Sequence, residues 1–185
     1  GVTANAAYRI SRAVIDESVD VQGRLPRFQE PKKICIVGGN GGMGRWLSHF
    51  LAARGHAVSI SDPDCEGAEF PAVSLEEGAK ADIIILATPV PVSDRILEEV
   101  LSASSPDAVI FDILSVKEPV RERLRKAGAA GRHVCSVHPM FGPSAPSAAG
   151  RNVIICRCGS AAADETAALL FNVSDILFMD IEEHD

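Results

Sequence analysis

From residue 32 onward, short apolar runs alternate with stretches of helical periodicity. The runs Ile34–Val37 and Ile83–Ala87 have no polar position between their apolar ones, as expected of strands buried on both faces of a sheet. Similar runs predict strands near 33–37, 57–61, 82–87, 107–112, 133–138, 152–156 and 175–179. Helices are predicted near 42–54, 92–103, 117–127 and 161–171; in the first, Met43, Leu47, Phe50 and Leu51 fall on one face. Residues 70–74 read as a minor strand or a turn. Strands alternating with helices predict an α/β fold with a doubly wound parallel sheet. Ahead of it, Tyr8, Ile10, Val14, Val19 and Val21 space out a helix over 1–22. Residues 23–31, with Pro26 and Pro31, form a linker. The main domain is expected over 32–185.

The junction of the first strand and first helix carries the most specific chemistry. Gly39, Gly41 and Gly44 form a G-x-G-x-x-G element directly after an apolar strand, and the next strand ends at Asp62, eighteen positions past Gly44. Strand, glycines, helix, strand and acid in that order predict a Rossmann-type dinucleotide-binding domain. Gly39 is expected to make the tight turn, Gly41 to let the backbone approach a pyrophosphate, and Gly44 to let the helix pack closely. Free N–H groups at the helix start would face the phosphates. Asp62 would accept hydrogen bonds from the adenosine ribose and repel a 2′-phosphate, which favours NAD over NADP. The cofactor-binding candidates are Gly39, Asn40, Gly41, Gly42, Met43, Gly44 and Asp62, with Thr88 and Pro89 after the third strand.

Charge and composition narrow the partners. A net charge of −7 over 185 residues argues against nucleic acid. No apolar run approaches a membrane span and no signal-peptide pattern opens the chain, so a cytoplasmic protein is expected. The five cysteines are scattered; Cys35, Cys135 and Cys156 lie in strands as small apolar side chains. Cys156 and Cys158 lack a second ligand pair, and no metal is expected.

Ligands of such sheets sit outside the carboxyl ends of the strands. Thr88 either touches the cofactor there or belongs to a simple turn with Ser93 as helix cap. Ser115 either binds a ligand or caps the next helix, and both roles are compatible. Lys117 reads as a solvated helix residue. His138, at a strand end and followed by Pro139, Gly142, Pro143 and Ser144, is held rigidly at the crevice. A neutral imidazole there is a good acceptor for a hydroxyl proton. His49, His56 and His133 lack such a context and are expected at the surface or in packing.

Taken together, Val37–Gly44, Asp112–Lys117, His138–Pro143 and Glu183-His184-Asp185 resemble the prephenate dehydrogenase family of tyrosine biosynthesis, over roughly residues 32–185. The resemblance implies NAD-dependent oxidative decarboxylation of prephenate to 4-hydroxyphenylpyruvate. It gives His138 the role of accepting the ring 4-hydroxyl proton and places Ser115 near that hydroxyl. His184 becomes a second histidine lining the site, and Ser144 joins Ser115, His138 and His184 as a substrate-binding candidate. The family also has a C-terminal helical domain that forms a homodimer and supplies an arginine for a substrate carboxylate. That domain is absent from the 185 residues, so the nucleotide domain with half of the substrate site is expected, inactive by itself unless Arg151 or Lys117 offsets the substrate charge. Residues 10–22, with Ser18 and Gln22 on one helical face, resemble the last helix of an all-helical chorismate mutase, which implies a bifunctional parent protein. Arogenate as substrate, a non-catalytic NAD-binding module and another dehydrogenase on the same fold are the competing readings.

Overall fold

A computed structural model of the chain describes residue 28 and residues 30–184. The helix expected over 1–22 and most of the 23–31 linker lie outside the described residues. Among the described residues seven strands form one sheet: β1 (Lys33–Val37), β2 (Ala57–Ser61), β3 (Ile83–Leu86), β4 (Val109–Asp112), β5 (His133–Pro139), β6 (Asn152–Arg157) and β7 (Asp175–Asp180). The helices are α1 (Gly42–Ala53), α2 (Leu75–Gly78), α3 (Val90–Ala103), α4 (Glu118–Ala129) and α5 (Ala161–Leu170), with a 3₁₀ turn at Ile181–Glu183.

The strand order is β2-β1-β3-β4-β5-β6-β7. Strands β1 to β5 are mutually parallel, but β6 runs antiparallel to β5 and β7 is parallel to β6. The doubly wound parallel sheet expected from the alternation is present, with its direction reversed only from β6 at the far edge. A parallel neighbour needs a crossover, usually a helix. No helix lies between Pro139 and Asn152, so the chain turns back on itself, whereas α5 carries it from β6 to a parallel β7. The ambiguous stretch at 70–74 makes a single parallel bridge, Ile60 to Ala72, and leads into the unpredicted α2, which Ser74 caps by accepting from the Glu77 amide at 3.1 Å.

Alternation along the strands builds two cores. Ile34, Ile36, Ile83, Ile85 and Phe111 face α1 and α5 and meet Leu47, Leu51, Ala167 and Leu170. Cys35, Val37, Ile84, Leu86 and Ile110 face α3 and α4 and meet Leu97, Val100, Val120 and Leu124. Helices thus cover both faces, and β3 is buried along its length. Each large side chain so buried contributes about 1.5–3 kcal/mol. All five cysteines are free; Cys35, Cys135, Cys156 and Cys158 are buried, and burial pushes the Cys35, Cys135 and Cys158 thiols up, which leaves these three unreactive. Because β2 and β3 flank β1 on opposite sides, the chain leaves the carboxyl ends of β1 and β3 toward opposite faces of the sheet, which opens a crevice there.

Candidate nucleotide and substrate site

The glycine loop closes the end of β1. Gly38, not Gly39, takes the left-handed conformation, with φ +82°, and its amide donates to the Ser61 carbonyl at 2.8 Å. Gly39 instead packs against β2: a Cβ there would lie 2.4 Å from the Ile60 side chain. A Cβ on Gly44 would lie 2.2 Å from the Gly38 carbonyl oxygen, so the helix fits under the loop only without a side chain. Gly41 precedes α1 with no side chain capping the helix, which leaves first-turn N–H groups available to an anion. A bare backbone at Gly41 and an uncapped helix start fit a dinucleotide pyrophosphate.

Asp62, at the end of β2, is locked by two main-chain donors. Its Oδ2 accepts from the Asn40 amide and its Oδ1 from the Asp64 amide, each at 3.0 Å. Asn40 acts as a clip. Its Nδ2 donates to the carbonyls of Asp64 (2.9 Å) and Glu66 (3.1 Å), and its Oδ1 accepts from Arg45 Nε at 3.0 Å. The glycine loop and the loop after β2 are thereby one unit.

Next to this cradle, a cavity of about 510 Å³ is lined by Met43 of α1, Thr88 and Pro89 after β3, Ser115 after β4, and His138 and Phe141 around the end of β5. Its size suits a small-molecule site. Thr88 Oγ1 lies 3.0 Å from Ser93 Oγ, and Ser93 bonds back to the Pro89 carbonyl at 2.9 Å. Helix α3 starts at Val90, with Pro89 in the cap position, so Ser93 is not the cap. Ser115 is exposed at the cavity and does not cap α4; Lys117 occupies that position.

Lys117 is where sequence and structure part most. It is fully buried, not solvated. Its Nζ donates to the Val137 carbonyl at 2.9 Å and to the Leu114 carbonyl, and pairs with the buried Asp112 carboxylate at 3.4 Å. One ammonium ties the loop before Ser115 to the strand residue before His138. The signal in the sequence was the Asp112-to-Lys117 spacing across a strand end; the third partner, Val137, is twenty positions away. Lys117 cannot serve a substrate carboxylate from there. Nor does Arg151 line the cavity: its guanidinium lies over the Phe141 ring at 5.9 Å and its Nε donates to the Ser147 carbonyl.

His138 is joined by His184. Nδ1 of the first lies 3.0 Å from Nε2 of the second. Ser144 is exposed and stands outside the cavity lining. Trp46, unnoticed in the sequence, clamps the loop after β5 onto α1: its Nε1 donates to the Ala145 carbonyl at 2.7 Å and its ring meets Phe141 at 4.9 Å. Gly42 permits the same approach, since a Cβ would come within 3.1 Å of Pro143. The remaining histidines are peripheral. His56 accepts from the Lys32 amide, and burial, then nearby Arg54 and Lys32, holds its pKa below the usual range. His133 bonds Ser160, and His49 pairs with Glu69 at the surface. Among the described residues no His, Cys, Asp and Glu group is arranged to hold a metal, and no helix is long and apolar enough to cross a membrane.

Residues 57–159, more than half of the chain, match the family described as the nucleotide-binding domain of prephenate dehydrogenase. The chain belongs to this family. A probable arogenate/prephenate dehydrogenase of Methanocaldococcus jannaschii is 34% identical over 131 residues, which cover 66% of this chain and 29% of that protein. A 4-amino-4-deoxyprephenate dehydrogenase of Streptomyces pristinaespiralis is 37% identical over 125 residues, covering 60% of this chain and 42% of that one. The chain therefore spans less than half the length of these curated relatives. Among solved structures, the prephenate dehydrogenase of A. aeolicus, in complex with hydroxyphenyl propionate and NAD+, superimposes with a TM-score of 0.70 at 18% identity, covering 85% of this chain and 63% of that one. At that identity the likeness establishes the shared fold, which is a Rossmann-type domain.

Proposed function

We propose that this domain binds NAD and serves the oxidative decarboxylation of prephenate in tyrosine formation, as the nucleotide-binding part of a longer, homodimeric dehydrogenase. The observation that carries the reading is the shared cavity: His138 and Ser115 line the same space as Met43 and Thr88, which border the dinucleotide cradle. Gly41, Gly42 and the start of α1 hold the pyrophosphate, and Asp62 takes the adenosine ribose and disfavours a 2′-phosphate. NAD, when bound, supplies a hydride acceptor. His138 accepts the hydroxyl proton at the carbon being oxidised, and Ser115 orients that hydroxyl. Lys117 keeps the two segments in register.

Arogenate is the second reading, since the M. jannaschii relative is described for both substrates. Residues 10–22, with Ser18 and Gln22, are assigned on their sequence alone to a remnant of a chorismate mutase helix.

The test is NADH formation from prephenate or arogenate, with cofactor binding measured in the same sample. His138→Asn is expected to lower kcat by on the order of 10²–10⁴-fold and to leave NAD affinity intact. Substantial turnover by that variant removes His138 as the base. NAD binding without turnover of either substrate, in this chain and in the full-length protein alike, favours a non-catalytic module.

A further inference from the structure

We propose that His138 and His184 form one acid–base unit, in which His184 is a positioning residue that sets the tautomer of His138 and shares its charge. The proposal rests on the dehydrogenase reading above. The geometry is that of a direct ring-to-ring hydrogen bond: Nδ1 of His138 to Nε2 of His184 at 3.0 Å, with ring centroids 5.1 Å apart and planes inclined by 55°. The two residues are 46 positions apart. His184 is delivered by the 3₁₀ turn after β7, and that turn is anchored by Ile181, which is 1% exposed in the core against α3 and α4.

Two neutral imidazoles can share such a bond in only two ways, because one nitrogen must carry the hydrogen and the other must not. In the first, His138 donates from Nδ1, so its Nε2 presents a lone pair, while His184 accepts at Nε2 and keeps its own hydrogen on Nδ1. In the second, His184 donates from Nε2, and the hydrogen of His138 sits on its own Nε2. Only the first leaves His138 a base at the nitrogen remote from His184. A ring that lines the cavity and gives its Nδ1 edge to His184 meets a substrate hydroxyl through Nε2. The hydrogen bond made by one ring nitrogen sets the state of the other.

The same contact helps when the proton arrives. As the C–H electron pair leaves as hydride to the nicotinamide, the hydroxyl proton moves to His138 Nε2. The electron pair of the breaking C–CO₂ bond completes the aromatic ring, and the proton returns to the phenolic oxygen. Between those events His138 is an imidazolium, and its Nδ1–H donates a charge-assisted bond to His184, roughly twice as strong as the neutral one. A neutral imidazole thus fills the place that a buried carboxylate takes in hydrolytic triads.

The experiment is nitrogen-15 NMR of the histidine-labelled 185-residue chain, which reads tautomers without turnover. His138 is expected to carry hydrogen on Nδ1 in the parent protein. It should lose that preference in His184→Phe and keep it in His184→Gln, whose amide oxygen can accept. In turnover, His184→Phe should lower kcat on the order of 10²-fold at unchanged NAD affinity, and His184→Gln should recover to within about tenfold of the parent. A parent protein with the hydrogen of His138 on Nε2, or a tautomer unmoved in His184→Phe, overturns the proposal. The expected tautomers together with failure of both prephenate and arogenate as substrates of the full-length protein would uphold the coupling and reject the dehydrogenase reading instead.

Discussion

In the glycine cradle beside the cavity every side-chain contact but the Asn40–Arg45 bond runs to main chain. Gly38, Asn40 and Asp64 amides set the glycine loop and fix Asp62, and the whole unit lies within residues 38–66. On the His138 side of the cavity the contacts are made by side chains gathered from two strand ends and a terminal turn: Asp112, Lys117, His138 and His184. A site built from backbone resists most side-chain changes and fails when a Cβ intrudes. A site built from paired side chains fails when either partner is lost, because the survivor is left buried or misdirected.

The strongest way to break the first region is Gly44→Ala. The new methyl would meet the Gly38 carbonyl oxygen at 2.2 Å, and backbone cannot step aside as a side-chain tip can. The expected cost is about 4 kcal/mol of folding stability and more than about a hundredfold in NAD affinity, read by chemical denaturation and calorimetry. Unaltered NAD affinity would mean that the helix does not need to sit under the loop.

The second region is probed by Lys117→Met. Removing the ammonium leaves the Asp112 carboxylate buried without its cation, at an expected cost of about 3 kcal/mol. Replacing both partners, Asp112→Leu with Lys117→Met, should regain most of that stability, since apolar substitutes for a buried pair are often neutral. Turnover should stay low in the double variant while NAD affinity stays within about threefold, because Ser115 and His138 lose their tie and the glycine loop does not. Recovery of turnover along with stability would reduce Lys117 to a packing element.

The same division explains what could be read without a structure. The glycine loop is local, so spacing alone located Gly41 and Gly44 at the start of α1 and Asp62 at the end of β2. The exception is Gly38, whose positive φ makes the turn assigned to Gly39, because the motif counts glycines and not dihedral angles. The strands and main helices were legible because each core is a period of two or a helical stripe. The reversal of β6 was not, since direction depends on whether the link after Pro139 holds a helix. His138 was legible as a rigid strand-end histidine. Its bond to His184 and the burial of Lys117 depend on where distant strands lie, and no local pattern encodes that.

A third region, remote from both, sharpens the comparison by removing a confounder. Asp164 lies in the first turn of α5, beside the start of β5, where His133 bonds Ser160. Burial, only partly offset by Arg157 at 4.0 Å, raises its pKa from an ordinary 3.8 to about 6. The folded protein holds this proton where the unfolded chain has released it. The group's contribution is therefore full below about pH 4, is lost as pH rises through 6, and is flat above. Any pH profile of the histidine pair recorded over that window would include this change in stability. Asp164→Asn should remove this share of the slope: the variant should match the parent near pH 4 and exceed it by on the order of 1–2 kcal/mol at pH 8, read from urea midpoints. A difference between variant and parent that does not grow between pH 4 and 8 would place the Asp164 proton elsewhere, and the slope would then belong to other groups.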